Sequence, residues 1–174
     1  GRYYDIAAEV GLDVEQVGRG VATADVDGDG DLDFVFANQW EPSFFYRNES
    51  AANNQFLGLA LRHPIEPRTE ALVSSGVAGI EHRSRPAVGA EARFIRPDGL
   101  TMVGQIDGGN GHSGVRSPDL HFGLGQVAAN QSLDVEINYR DRHGVVGTLR
   151  IALKPGWHTV LLPDAAKPRP GDTL

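Results

Sequence analysis

The chain has no cysteine among its 174 residues. This excludes a disulfide framework, a thiolate metal site and a cysteine nucleophile, although it does not decide the compartment. No apolar stretch approaches the roughly 20 residues of a transmembrane helix, so we expect no membrane insertion. The first residues do not resemble a signal peptide. Because the chain starts without Met and inside a repeat-like pattern, we expect it to be a fragment of a longer polypeptide.

Basic residues are also few. Sixteen Lys and Arg against 23 Asp and Glu give a net charge of −7, and no basic run could follow a phosphate backbone. We therefore expect no nucleic-acid partner. The 22 glycines and 10 prolines are typical of short strands and many turns, and the length suits one sizeable core or two small ones. The composition predicts an all-β fold.

A run of aspartates separates two short apolar segments. Residues 25–33 read DVDGDGDLD, with five carboxylates in nine residues. Because such charges repel one another, a loop of this composition is stable mainly around a cation. Oxygen ligands at positions 1, 3, 5, 7 and 9, with glycine at position 6, are typical of a calcium loop. The candidate ligands are the carboxylates of Asp25, Asp27, Asp29 and Asp33 and the backbone carbonyl of Asp31.

Calcium suits this loop better than magnesium, which prefers a tight octahedron with retained waters. The loop is not an EF-hand, because the twelfth position, a bidentate Glu in that motif, is Phe36. The flanking residues 20–24 and 34–37 are short, apolar and partly β-branched, which is typical of strands. The sequence therefore predicts a structural Ca²⁺ loop between two strands.

The segments around this loop resemble known families. Three of them are similar to one FG-GAP/VCBS-type repeat, which forms a blade of integrin-like β-propellers: GRGVA at 18–22, DFVFAN at 33–38 and FYRN at 45–48. Three later ones resemble the ASPIC/UnbV domain, which follows such repeats in cartilage acidic protein and its bacterial relatives: AVGA at 87–90, GGNG at 108–111 and HFGLG at 121–125. The resemblance implies calcium at the aspartates and a secreted or cell-surface location.

Together these patterns divide the chain. We expect a propeller-blade-like calcium repeat at 1–49, a linker at 50–55 and a β-sandwich-like domain at 56–164, with the repeat packed on the domain and an extended tail at 165–174. Strands are predicted at 20–24, 33–38, 44–48, 56–61, 88–95, 101–107, 120–122, 133–139, 145–153 and 158–162. Residues 62–85, with two prolines and weak periodicity, are predicted as an irregular insertion, either a mobile surface segment or a partner-binding loop.

A glycine-rich stretch at 109–114 matches the dinucleotide pattern G-x-G-x-x-G. The residues after it have no apolar periodicity and include Pro118, which excludes the helix that such a site needs. We interpret the stretch as a loop between strands. His121, in a predicted strand, is interpreted as a hydrogen-bonded structural histidine.

One cluster invites a catalytic reading, in which His112 would act with Asp107, Ser113 and Asp119. Ser113 lacks the G-x-S-x-G setting of a nucleophile elbow, and polar loop residues commonly bond their own backbone instead. We therefore expect that the chain is not an enzyme.

Two kinds of residue bear on glycans. Asn48 and Asn130 each begin an N-x-[ST] tripeptide, which is glycosylated only in a secretory pathway that performs this modification. Trp40 and Trp157 are candidates for stacking on a sugar, with packing inside the protein as the alternative.

The leading hypothesis is a secreted or cell-surface, calcium-binding structural and interaction module of the adhesion type. Its partners would be proteins or glycans of the cell surface or matrix, or other copies of itself, since open strand edges can pair between copies into oligomers or fibrils. The alternative hypothesis is a carbohydrate-binding module of a secreted protein.

Overall fold

The computed structural model describes residues 2–49, 54–76, 83–109 and 117–165. Over these ranges it has twelve β-strands in three sheets and no α-helix, which confirms the predicted all-β fold. The described part of the chain holds no helix with the length and apolar character needed to cross a membrane.

The N-terminal sheet has the form of a small blade. Its strands β1 (Gly18–Ala24), β2 (Asp33–Asn38) and β3 (Phe44–Tyr46) are antiparallel and lie in that order. Ala24 pairs with Asp33, so the aspartate loop closes the β1–β2 hairpin at one end of the blade. The β2–β3 turn lies at the other end.

The second unit contains the nine remaining strands in two sheets. In chain order they are β4 (Gln55–Pro64), β5 (Leu72–Ser75), β6 (Ser84–Pro86), β7 (Glu91–Ile95), β8 (Thr101–Gln105), β9 (Leu120–Gly125), β10 (Leu133–Arg140), β11 (Val146–Leu153) and β12 (Gly156–Leu161). One sheet has the order β11-β10-β7-β8, and the other has the order β5-β12-β4-β6, with β9 also paired to β4. The pairing of β12 with β4 is parallel.

The core lies between these two sheets. Strand β10 alternates buried and more exposed residues, with Val135 and Ile137 among its buried side chains. From the other sheet β4 contributes Leu59, and Phe94 of β7 meets Phe122 of β9 edge-to-face at 5.2 Å between ring centroids. A two-sheet core of this kind is the packing of a β-sandwich.

The prediction of an irregular insertion over 62–85 is wrong for parts of that range, which lie in strands. Strand β4 continues to Pro64, β5 lies inside the range, and β6 begins at Ser84. β5 pairs with β12 and β6 with the end of β4. These strands are short and owe their pairing to distant segments, so local periodicity does not reveal them. Residues 77–82 lie outside the described ranges.

Several predicted boundaries also move. Gln55 belongs to β4 rather than to the linker, the strand predicted from residue 88 begins at Glu91, and the strand predicted to end at residue 48 ends at Tyr46. In the region around residue 88, Ala90 N–H donates to the Ala87 carbonyl at 2.9 Å, which makes a turn there instead of a strand.

The turn between β10 and β11 anchors the end of the described chain. Asp141, 7% exposed, accepts backbone N–H bonds from His143 and Val145, both 2.8 Å, and from Ala165 at 3.1 Å. The predicted tail at 165–174 is therefore bound at its first residue, and residues 166–174 lie outside the described ranges. Burial alone would raise the pKa of Asp141, but these three N–H donors outweigh burial and lower the pKa.

This lowered pKa predicts a pH dependence of stability. Ionised Asp141 stabilises the fold above the ordinary Asp pKa of 3.8, and the stabilisation is lost as the pH falls through the lower folded-state value. We expect Asp141→Asn to lower the melting temperature at neutral pH, because the amide N–H₂ group cannot accept a bond. The difference from wild type should shrink as the pH falls below 3.8.

Thermal melts across this pH range measure the effect, with Asp134→Asn on an exposed position of β10 as the matched control. A difference between Asp141→Asn and wild type that stays constant with pH would contradict the prediction.

Candidate metal centre

Three carboxylates of the aspartate loop lie together. One oxygen from each of Asp25, Asp27 and Asp29 falls within 4.8 Å of the other two. Asp25 is half-buried, whereas Asp27 and Asp29 are exposed. Clustered carboxylate oxygens are the ligands that a hard divalent cation prefers.

The loop holds this shape through its own backbone. Asp25 accepts hydrogen bonds from Gly28 N–H at 2.7 Å and from Gly30 N–H at 3.0 Å. Asp27 accepts one from Asp29 N–H at 3.4 Å, and Asp29 one from Asp31 N–H at 2.9 Å. Gly28 and Gly30 have φ angles of 79° and 97°, a left-handed conformation that glycine adopts without strain. The side chains thus bend the loop around a common centre.

The carboxylates of Asp31 and Asp33 are not in this group. For Asp31 the sequence assigned the backbone carbonyl as the ligand, and its side chain lies outside the cluster. Asp33 is 1% exposed and accepts N–H bonds from Val26 at 3.0 Å and Asn48 at 2.8 Å. The Asp33 side chain thus lies outside the group of three and fastens the base of the loop to the end of β3, and its role as a carboxylate ligand stays a prediction.

A cation from the protein itself lies beside the cluster. Arg47 Nη1 is 3.5 Å from Asp27 Oδ2, and the same guanidinium pairs with Glu49. The hydrogen bond to Glu49, more than any other interaction, raises the pKa of Arg47. With 52% of the Arg47 side chain exposed, its pairing with Asp27 is screened by solvent and offsets little of the loop's negative charge.

Three aromatic residues of the second unit contact the loop, and we call them the aromatic seam: Phe56, His121 and Trp157. Trp157 Nε1–H donates to Asp25 Oδ2 at 2.6 Å, and His121 Nε2 lies 2.7 Å from the Gly30 carbonyl. The Phe56 ring stacks on His121 at 5.2 Å and meets Trp157 edge-on at 6.0 Å. The interpretation of His121 as a hydrogen-bonded structural histidine is confirmed.

Two glycines, one in the loop and one in β4, make room for the rings of the seam. A Cβ on Gly30 would lie 2.2 Å from the Phe56 ring, and a Cβ on Gly58 of β4 would lie 2.3 Å from the Trp157 ring. Real Cβ atoms do not approach other atoms so closely, so a larger residue at either position would move the aromatic ring. The seam was missed by sequence analysis because its members come from β4, β9 and β12, far from the loop along the chain.

The two tryptophans differ in their surroundings. Trp157 is half-buried, bonded to Asp25 and packed over Gly58, which favours its alternative role in packing inside the protein. A sugar contact at Trp157 stays a prediction. Trp40 lies in the β2–β3 turn with a φ of 63° and 92% exposure. A sugar contact at Trp40 stays a prediction.

The remaining predicted sites fall at the surface or outside the described ranges. Asn48 is half-buried and its backbone N–H is bound to Asp33, whereas Asn130 lies exposed in the turn before β10. Ser50 of the first tripeptide lies outside the described ranges. Glycosylation at Asn48 and at Asn130 stays a prediction. His112 and Ser113, for which a catalytic role was considered and not expected, also lie outside the described ranges.

The two loop glycines give a matched test of the seam. Both Gly28→Ala and Gly30→Ala place a side chain at positive φ, which costs on the order of 1 kcal/mol or more each. Only at Gly30 would the new methyl also collide with the Phe56 ring, since nothing lies within 4 Å of a Cβ at Gly28. We expect Gly30→Ala to lower the free energy of unfolding by about 1–3 kcal/mol more than Gly28→Ala does.

Chemical denaturation in the presence of a chelator measures both variants under the same conditions. Equal losses for the two variants would mean that Phe56 does not contact the loop in solution.

Comparison with known families agrees with this arrangement. The FG-GAP repeat matches residues 17–55, which contain the blade and its loop, and the family described as ASPIC and UnbV matches residues 80–167. A search of curated proteins finds no match to the chain. FG-GAP repeats are typical of extracellular interaction modules and generally bind calcium. Since the second match spans half of the chain, the protein belongs to the ASPIC and UnbV family and carries an FG-GAP repeat before that domain.

Proposed function

We propose that the aspartate loop binds one calcium ion and that the chain is a calcium-binding structural and interaction module of a secreted or cell-surface protein. The observation that carries the proposal is the group of oxygens from Asp25, Asp27 and Asp29 within 4.8 Å of one another. The proposed role is binding rather than catalysis.

The donor set fits calcium. All candidate ligands are oxygens, namely the three clustered carboxylates, the Asp33 carboxylate and the Asp31 carbonyl. Calcium completes its six to eight ligands with water where the protein supplies fewer. Magnesium demands a near-ideal octahedron at short distances, which a loop shaped by its own glycines and backbone hydrogen bonds is less suited to provide. Asp33 supports the ligands from the base of the loop, where it bonds Val26 and Asn48.

The ion would be structural. Without it, the carboxylates of three aspartates repel one another at close range, and Arg47 is too exposed to offset that repulsion. With it, the repulsion becomes attraction to a common centre, and the loop that joins β1 to β2 is fixed against the aromatic seam. Calcium would thus stabilise the contact between the repeat and the second unit.

Calcium-dependent stability tests this proposal. Filling the site to about 100 times its dissociation constant should add about 2.7 kcal/mol to the free energy of unfolding. We expect Asp27→Asn to abolish this gain, because it removes one ligand charge while preserving side-chain shape. In chelator the same variant should melt at or above the wild-type temperature, since it also removes repulsion.

Melts in calcium, magnesium and chelator measure the three effects, with Asp134→Asn as a control for loss of an exposed carboxylate elsewhere. A wild-type melting curve that is identical in calcium and in chelator would refute the calcium site.

We also propose that copies of the chain associate through the blade. Val35 of β2 pairs with Phe45 of β3, so their side chains share one face of the blade, and they remain 41% and 51% exposed. The same register leaves β3 at the edge of the described blade, with unpaired backbone groups. An apolar face beside an open edge favours pairing with a second copy.

The measurement is light scattering over a wide range of protein concentrations in calcium. We expect the mean mass to rise with concentration and Phe45→Glu to suppress the rise, because a charge on the shared face resists burial. Leu100→Glu in the β7–β8 turn, 52% exposed in the wild type, is the matched control. A strict monomer at every concentration would rule out self-association.

A further inference from the structure

We infer that Trp157 positions the Asp25 carboxylate for the cation, so that the second unit sets part of the calcium affinity of the repeat. This inference rests on the proposed calcium site. It assigns to a residue 132 positions away along the chain a role in the metal centre.

Three hydrogen bonds hold the Asp25 carboxylate in place. Its Oδ2 accepts two donors, Gly30 N–H at 3.0 Å and Trp157 Nε1–H at 2.6 Å, whereas its Oδ1 accepts one, Gly28 N–H at 2.7 Å. A carboxylate offers about four lone-pair positions. The donors on Oδ2 therefore leave Oδ1 as the oxygen with room for a cation, and Asp25 is prepared as a monodentate ligand.

The indole N–H donor of Trp157 is held in a fixed position by its neighbours. Trp157 lies on β12, which pairs in parallel with β4, and in this register Trp157 is opposite Gly58. The missing side chain at Gly58 lets the indole ring lie against the backbone of β4, and the Phe56 ring meets it edge-on at 6.0 Å. Two neighbouring strands thus fix the direction of the indole N–H.

The bond from Trp157 to Asp25 should strengthen calcium binding. Side chains that hydrogen-bond a metal ligand orient it, and their loss typically weakens metal binding 10- to 100-fold. Coupling is reciprocal, so calcium should tighten the Asp25–Trp157 bond to the same extent that the bond tightens calcium. A purely structural bond would instead stabilise the free and loaded protein equally.

The chain offers a matched pair for the test, because it has only two tryptophans. Trp157→Phe removes the N–H donor and keeps an aromatic ring, whereas Trp40→Phe makes the same exchange in the β2–β3 turn at the opposite end of the blade. We expect calorimetric titration to show calcium binding about 10-fold weaker or more in Trp157→Phe. Binding by Trp40→Phe should match wild type.

The outcomes separate this inference from the function on which it rests. If wild type and Trp40→Phe bind calcium and Trp157→Phe binds it equally well, the inference is overturned while the calcium site stands. A lower melting temperature of Trp157→Phe in chelator with unchanged calcium affinity also overturns it, since that is the result of a purely structural bond. If wild type itself binds no calcium, both proposals fall.

A second measurement leaves Trp157 unchanged and therefore does not depend on the folding of Trp157→Phe. It follows the NMR signal of the Trp157 indole N–H. In ¹⁵N-labelled Trp40→Phe protein, Trp157 supplies the only indole N–H signal. We expect this signal to shift in step with calcium occupancy and its exchange with solvent to slow. A signal that stays unchanged while calcium saturates the protein would overturn the positioning role.

Discussion

Repulsion among the carboxylates of the aspartate loop is the main physical constraint on the N-terminal repeat. Three negative charges, those of Asp25, Asp27 and Asp29, lie within a few ångströms of one another. Backbone N–H groups of the loop donate hydrogen bonds to Asp25, and two glycines in the left-handed conformation allow the loop to make these bonds. These bonds hold the shape of the loop, but the charge remains. Arg47 offsets it only weakly, and the Trp157 N–H donates to Asp25, so we propose that a bound cation supplies the remaining compensation.

The aromatic seam connects the aspartate loop to the second unit. Because Phe56, His121 and Trp157 come from three strands of one sheet, the loop docks on a surface that exists only when β4, β9 and β12 are assembled. A small three-stranded blade has little core of its own. The second unit therefore supplies packing to the repeat, and in the proposed function the Asp25–Trp157 bond links that unit to the metal centre.

The sequence predicted the features that depend on residues close together along the chain. The spacing of aspartates and glycines in 25–33 predicted a loop between two strands, because each turn is made by side chains bonding the backbone two to five residues away. The strand predicted at 133–139 is β10, whose residues alternate between buried and more exposed because one face of its sheet lies against the core. The family resemblance predicted the order of the two units, and the family matches confirm it.

What the sequence did not predict depends on distant pairing. β5 and β6 are short strands whose partners are β12 and β4, and no local pattern identifies those partners. The spacing of Asp33 indicates a ligand, but it does not show that the same side chain binds the N–H groups of Val26 and Asn48 at the base of the loop. The sequence left sugar stacking and internal packing open for Trp157, because the bond from its indole to Asp25 forms only when β12 lies beside β4.

The most direct test of this account is hydrogen exchange of the full chain with calcium and with chelator. Calcium at the loop should slow exchange together in the loop at 25–33 and in β12 at 156–161, because the Asp25–Trp157 bond joins them. Slowing confined to the loop, or absent from both segments, would contradict a metal centre that the second unit helps to hold.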